Sequence, residues 1–251
     1  MRVILITGAS SGLGRALALE YAGPGTALIL IARRIERIIE VSGSVEKKGG
    51  VPFLYEADVR NREQMERISG EILSGIGIPD LIVANAGIRG GKHGNDRENM
   101  EALFDTNVMG VMNTVLPFLS SLRQARKGGI AVIGSLAGYR GLPDAGAYCA
   151  SKAALHAWTD SLRFEMEPLN VPVSLINPGF VRTEMTRSNP YPMPFILTAE
   201  EAAHRIRRGL ERKKALIEFP FPLVLAVRLL ALIPPRSSDR LLRLFSSKST
   251  R

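Results

Sequence analysis

A tyrosine and a lysine four residues apart, in Tyr148-Cys149-Ala150-Ser151-Lys152, are the pair in this 251-residue chain most suited to moving a proton. On a helix, positions i and i+4 share a face, so phenol and ammonium become neighbours. A cation beside a phenol stabilises the phenolate and lowers its pKa toward the range used in proton transfer. Ser135, thirteen residues earlier at the end of an apolar run, adds a hydroxyl able to reach a substrate oxygen. Taken singly, each also has a plain structural reading. The Tyr-Lys spacing recurs by chance, and a serine at a strand end often just starts a turn.

A second constellation lies at the N-terminus. Thr7-Gly8-Ala9-Ser10-Ser11-Gly12-Leu13-Gly14 follows the first apolar run and opens a helical pattern. Glycine there lets the chain turn tightly and lets a pyrophosphate approach the amides at a helix N-terminus, where the dipole favours negative charge. The spacing Gly-x3-Gly-x-Gly differs from the commoner Gly-x-Gly-x-x-Gly, but strand, turn and helix come in the required order. The second apolar run ends Leu30-Ile31-Ala32-Arg33-Arg34. In dinucleotide folds the end of this strand faces the adenosine ribose, where an acid repels a 2′-phosphate and an arginine pairs with it. Arg33 and Arg34, with no acid before Glu36, favour NADP(H) over NAD(H); the alternative is a solvated helix start. Asp58, followed by Val59 at the end of the third run, could accept from the adenine amino group or simply cap the next helix.

These groups need a scaffold, and the apolar pattern supplies one. Val3–Ile6, Ala27–Ala32, Pro52–Glu56, Leu81–Ala84, Ile130–Ile133, Val173–Ile176 and Leu216–Phe219 read as buried strands. Helical patterns lie between them at about 12–22, 34–48, 62–74, 97–125, 148–168 and 199–212, the last opened by the capping box Thr198…Glu201. The alternation predicts an α/β fold with a doubly wound parallel sheet of about seven strands. Residues 1–219 form one catalytic domain, with a substrate loop at about 184–197. Residues 220–251 are a basic, apolar C-terminal extension rather than a second domain.

Together the motifs resemble the short-chain dehydrogenase/reductase family, in its compact subgroup of about 250 residues. The Thr7–Gly14 turn matches the family's cofactor motif, including its spacing, and Asn85-Ala86-Gly87 matches the Asn-Ala-Gly that follows the fourth strand. Asn107, Ser135, Tyr148 and Lys152 match its catalytic tetrad. Pro178, Gly179, Val181 and Thr183 match the loop that closes on the nicotinamide. The order holds from about residue 2 to 187. Ala84 replaces the first asparagine of the usual Asn-Asn-Ala-Gly, and Ser11 stands where many NADP(H)-using members carry a basic residue, so the cofactor expectation rests on Arg33 and Arg34. The resemblance implies hydride transfer between nicotinamide and a carbonyl or alcohol. Tyr148 would act as acid/base, Ser135 would hydrogen-bond the substrate oxygen, and Lys152 would hold the ribose and lower the tyrosine pKa. Asn107 would bind a water that links Lys152 to solvent. It also implies a homodimer or homotetramer built through the helices at 97–125 and 148–168. The competing readings are a non-catalytic NADP(H) sensor or scaffold, which would have no chemical reason to keep the phenol–ammonium pair, and an epimerase, which would need a longer substrate domain.

Composition sets limits. Hydrophobic residues at 45% and charged residues at 23% describe a globular chain. The single cysteine, Cys149, excludes an intrachain disulfide, and with no signal-peptide core or membrane span in the sequence a cytoplasmic location is expected. His93, His156 and His204 lie far apart without ligand-spaced partners, so no metal is expected. The net charge of +9 is local. Residues 1–202 balance, whereas 203–251 hold twelve basic residues against Glu211, Glu218 and Asp239. Interleaving with leucine argues against nucleic acid. The apolar run Phe221–Pro235 is expected either to pack on its own domain or on a second subunit, covering the substrate cleft, or to lie on an anionic membrane surface. Met185, Tyr191, Met193, Phe195 and Ile196 give the substrate loop an apolar lining and favour an apolar or lipid-like carbonyl.

Overall fold

The structure is a computed structural model and describes residues 1–90, 96–187, 189 and 192–238. Seven strands form one parallel sheet: β1 (Arg2–Thr7), β2 (Thr26–Ala32), β3 (Val51–Glu56), β4 (Leu81–Ala84), β5 (Ile130–Ile133), β6 (Val173–Pro178) and β7 (Leu216–Phe219). Their order is β3-β2-β1-β4-β5-β6-β7, so the winding reverses between β1 and β4. Strands buried on both faces need no polar alternation, which is why β1, β2, β4 and β5 read as near-continuous Val, Ile, Leu and Ala. One core cluster packs Leu5, Ile29, Ile82, Val132 and Leu175 against the helices on one face. The other packs Ile4, Ile6, Leu28, Leu30 and Ile176 on the opposite face.

The helices follow the sequence pattern with informative exceptions. They are α1 (Gly12–Tyr21), α2 (Ile35–Lys47), α3 (Arg62–Gly75), α4 (Arg97–Phe104), α5 (Gly110–Val115), α6 (Leu119–Ala125), α7 (Gly146–Met166), α8 (Glu184–Arg187), α9 (Ala199–Glu211) and α10 (Phe221–Leu232). The single helix expected over 97–125 is instead α4, a π turn at Asp105–Met109, α5, a 3₁₀ turn containing Pro117, and α6. Pro117 has no amide hydrogen to continue the ladder. The π turn wedges one extra residue into the helix where Asn107 faces inward. Met109, Leu116 and Phe164 remain exposed on these helical segments, which are the ones the resemblance implies for subunit contact. The capping box forms as read: Glu201 N–H donates to Thr198 Oγ1 at 3.1 Å and Thr198 N–H to Glu201 Oε2 at 2.8 Å.

Candidate active site

In open α/β sheets the crevice at the carboxyl ends of strands where the winding reverses is the natural binding site. Here a cleft of about 840 Å³ opens there. Its first end is the turn between β1 and α1. Gly8 and Gly12 have φ of +67° and +52°, a region that strains any side chain, and a Cβ on Gly14 would lie 2.2 Å from the Gly8 carbonyl oxygen. A side chain is sterically excluded at Gly8 and Gly14 and strained at Gly12, and the close turn brings the backbone to the cleft surface. Asn85 at the end of β4 donates from Nδ2 to Thr7 O at 2.9 Å, tying the two reversing strands together. Thr7 Oγ1 accepts from the amides of Asn85 and Ala86 at 3.2 and 3.3 Å. Thr183 packs over Gly12 from the opposite wall, where Pro178, Gly179 and Val181 also line the cleft.

Basic side chains gather at this end. Arg34 Nη2 donates to the hydroxyls of Ser10 and Ser11 at 3.4 and 3.3 Å, laying its guanidinium across the glycine turn. Arg33 lies 4.0 Å from the Asp58 carboxylate, which Arg60 also pairs at 2.7 Å. Burial alone would raise the Asp58 carboxyl, but its hydrogen bonds with Arg60 outweigh that and hold it below the usual range. A tight turn whose glycines at 8, 12 and 14 carry no Cβ, flanked by guanidinium groups, suits a phosphorylated dinucleotide. Ser10, Ser11, Leu13, Val59, Ala86 and Gly87 line the same cleft, so every expected cofactor residue except Lys152 faces it.

Beyond the glycine cradle Tyr148 and Ser135 both line the cleft. Ser135 leaves β5 in extended backbone, and its Oγ accepts from Ala137 N–H at 3.1 Å. Tyr148 stands on the first turn of α7. One expectation is corrected here. Burial pushes the Tyr148 phenol above its ordinary value; the Ser135 hydroxyl and the Arg89 guanidinium act downward without overcoming it, and Lys152 is not what sets it. Lys152 Nζ sits 5.9 Å from the centre of the tyrosine ring, behind the cleft wall, and donates to Ile133 O at 2.9 Å. Asn107 also lies behind the wall. Its Oδ1 accepts from Ile88 N–H at 2.8 Å, and its Nδ2 donates to Ile88 O at 2.9 Å and Ser151 Oγ at 3.1 Å.

Burial brings the Lys152 ammonium down from 10.5 to about 8. Between those values the unfolded chain keeps a proton here that the folded chain has lost, so folding stability rises with pH across that window. Lys152→Met removes this slope. Between pH 7 and pH 10 the wild type should gain roughly 2–3 kcal/mol of unfolding free energy relative to the variant. Urea titrations at both pH values measure it, and a constant difference would show that the ammonium is not desolvated.

A model of the short chain dehydrogenase family matches residues 2–192. The chain belongs to the short-chain dehydrogenase family. It is an NAD(P)(H)-dependent oxidoreductase built on that family's Rossmann-type sheet. An uncharacterised oxidoreductase of Myxococcus xanthus is 35% identical over 236 residues, covering 93% of each chain. A ketoacyl reductase of Nostoc sp. is 29% identical over 255 residues, covering 97% of this chain and 89% of that one. Among solved structures, the alcohol dehydrogenase of the archaeon Thermococcus sibiricus, complexed with 5-hydroxy-NADP, superposes with a TM-score of 0.78 at 31% identity. The match covers 87% of this chain and 95% of that one.

Two parts of this short-chain dehydrogenase's site differ from the sequence reading: the first was not singled out, and in the second the run Phe221–Pro235 does cover the cleft, through Leu223, Val227 and Leu230, while most of the expected loop lining does not. The first is a polar cluster behind Ser135. Glu218 on β7 accepts from Tyr139 Oη at 2.6 Å and Asn177 Nδ2 at 3.2 Å, and pairs with Arg228 of α10 at 2.6 Å. Burial holds the His156 imidazole below its usual value, so the neutral ring donates from Nε2 to the Ser135 carbonyl at 3.1 Å, with the Tyr139 ring 4.9 Å away. These residues come from β6, β7, α7, α10 and the loop after β5, and no local spacing joins them. The second is the apolar wall. Of the four described side chains expected to line the substrate loop, only Met185 does so. Met193, Phe195 and Ile196 do not line the cleft, and Tyr191, like His93, falls outside the described residues. Phe195 sits at a positive φ of +57° that turns it outward, where it is 57% exposed. Leu142, Pro143, Pro192 and Pro194 form the wall, together with Leu223, Val227 and Leu230 of α10.

Proposed function

We propose that the chain interconverts a carbonyl and an alcohol with NADP(H) as the hydride partner, on an apolar, lipid-like or acyl-like substrate. The observation that carries this reading is one cleft with three parts. A glycine cradle flanked by Arg33 and Arg34 lies at one end, the Ser135 and Tyr148 hydroxyls lie midway, and an apolar wall closes the other end. A nicotinamide held there supplies the hydride to the carbonyl carbon, or accepts it in the reverse direction. The chain's own residues handle the oxygen. Ser135 Oγ donates a hydrogen bond to it, and the Tyr148 phenol gives its proton as negative charge develops. A phenol held above its ordinary pKa is fully protonated at neutral pH, as a proton donor must be. The Lys152 ammonium, brought down to about 8 by burial, is suited to return a proton near neutrality. Asn107 acts as a positioning residue, since it fixes Ile88 and the Ser151 hydroxyl one residue before Lys152. The NADP in the Thermococcus sibiricus alcohol dehydrogenase and the name of the Nostoc ketoacyl reductase support the cofactor and substrate class.

Cofactor choice is testable through Arg34, whose guanidinium reaches the glycine turn. A charge-assisted hydrogen bond contributes about 1.5–3 kcal/mol, so Arg34→Asp should lower kcat/KM with NADPH by about tenfold to a hundredfold and leave NADH much less affected. Steady-state rates with both nucleotides on a panel of apolar ketones provide the check. A wild type that prefers NADH would overturn the NADP(H) assignment.

A further inference from the structure

The helix α10 carries one charged residue, Arg228, among eleven apolar ones, yet only one side is covered. Leu223, Val227 and Leu230 line the cleft, and Leu223 packs so close to Gly179 that a Cβ there would lie 2.7 Å from its Cδ2. The opposite stripe faces solvent: Phe221 is 74% exposed, Leu225 48%, Leu229 54% and Leu232 81%. Spacings of four, four and three residues place them on one face. A helix this apolar is ordinarily buried, and a contiguous exposed apolar stripe marks an interaction surface. The orientation is fixed, because Arg228, the only charged residue of α10, is drawn into an ion pair with Glu218 at 2.6 Å that pins the helix to β7.

Charge selects the occupant. From residue 220 onward the chain carries Arg228, Arg236, Arg240, Arg243, Lys248 and Arg251 against Asp239 alone. A second copy seated on this stripe would bring the same excess of positive charge against it, whereas an anionic lipid surface would neutralise it. Length sets the mode. Twelve residues at 1.5 Å each make about 18 Å, against a bilayer core of about 30 Å. No helix of the described residues is long and apolar enough to cross a membrane. A short helix of this kind lies in the plane of the interface.

We infer that α10 docks on an anionic lipid surface, with Phe221, Leu225, Leu229 and Leu232 seated at the headgroup boundary and the positive charge of the sequence from residue 220 onward attracting it to the lipid phosphates. Since the other side of the same helix lines the cleft, an apolar substrate would pass from bilayer to cleft along α10 without crossing bulk water. That last step rests on the substrate class proposed above; the docking does not.

The experiment is flotation of the full chain with phosphatidylcholine vesicles, with and without phosphatidylglycerol, at low and high salt. The variant is Leu225→Gln/Leu229→Gln, which leaves the cleft-lining residues and helix propensity in place. Wild type should float with the anionic vesicles and at least about tenfold less with neutral vesicles or at high salt. The double variant should float at least about tenfold less, with unchanged melting temperature and unchanged turnover of a water-soluble ketone. Equal flotation of wild type and variant, or flotation of neither, overturns the inference. So does a wild-type assembly in sedimentation velocity that the variant dissociates without any vesicle binding, because the stripe would then join two copies. Vesicle binding as expected, with no ketone turned over by either protein, would instead count against the proposed activity and leave the docking standing.

Discussion

Tyr148→Phe is expected to lower kcat by about 10²–10⁴-fold while NADPH affinity stays within about twofold of wild type. The substitution removes one oxygen and keeps the ring that packs beside Lys152, 5.9 Å from its Nζ. The phosphate cradle and Arg34 are untouched, so nucleotide fluorescence titration should report near-normal binding. What disappears is the proton. Ser135 Oγ can donate a hydrogen bond to a developing alkoxide, but a serine hydroxyl is too weak an acid to give up its proton at neutral pH. Lys152 cannot substitute directly, because it sits behind the cleft wall with Nζ bonded to Ile133 O at 2.9 Å. The loss should therefore fall on kcat rather than on KM, the pattern left by removing an interaction made only in the transition state. Turnover near wild type would show that another group supplies the proton, and the assignment of Tyr148 would fail.

The difference between what the sequence revealed and what it hid follows from locality. β4, β5 and β7 match their apolar runs residue for residue, because buried parallel strands are set by short, continuous segments. The glycine turn was equally legible, since strand, Gly8, Gly12, Gly14 and helix are adjacent in the chain. The broken helix over 97–125 was less so. Pro117 could have signalled part of the break, but the π turn at Asp105–Met109 carries no residue that marks it. The Glu218 cluster joins Tyr139 to Glu218 and Arg228, 79 and 89 positions away, and periodicity does not reach so far. The phenol pKa failed for a similar reason. Spacing put Lys152 on the face of Tyr148, but it does not report how deeply the phenol is buried, and burial raises it against the Ser135 hydroxyl and the Arg89 guanidinium.

Gly14→Ala should be the most damaging single-methyl addition in the nucleotide half of the site. The new Cβ would lie 2.2 Å from Gly8 O and 2.5 Å from Asn85 Nδ2. Neither neighbour can yield cheaply. Gly8 O is backbone, on a residue already at positive φ and itself only 2.9 Å, at an added Cβ, from Ala86 Cα; Asn85 Nδ2 bonds Thr7 O at 2.9 Å and holds β4 to β1. Relief therefore means lifting the turn away from the sheet at the winding reversal. Overpacking of this kind costs about 1–3 kcal/mol, or roughly 2–12 °C of melting temperature for a chain of this size. The functional effect should be larger than the stability effect, because the amides that move are those a pyrophosphate would contact, and NADPH affinity should fall at least about a hundredfold. Gly70→Ala provides the internal control. An added Cβ there meets nothing within 4 Å, and it lies inside α3, where alanine is favoured by about 1 kcal/mol. Melting curves with and without NADPH separate the two. Gly70→Ala should melt at or above wild type and keep the full NADPH-induced rise, whereas Gly14→Ala should melt lower and show almost no rise. A normal NADPH-induced rise in Gly14→Ala would mean that the turn relaxes without disturbing its amides and that the close contact with Gly8 is not what shapes the cradle.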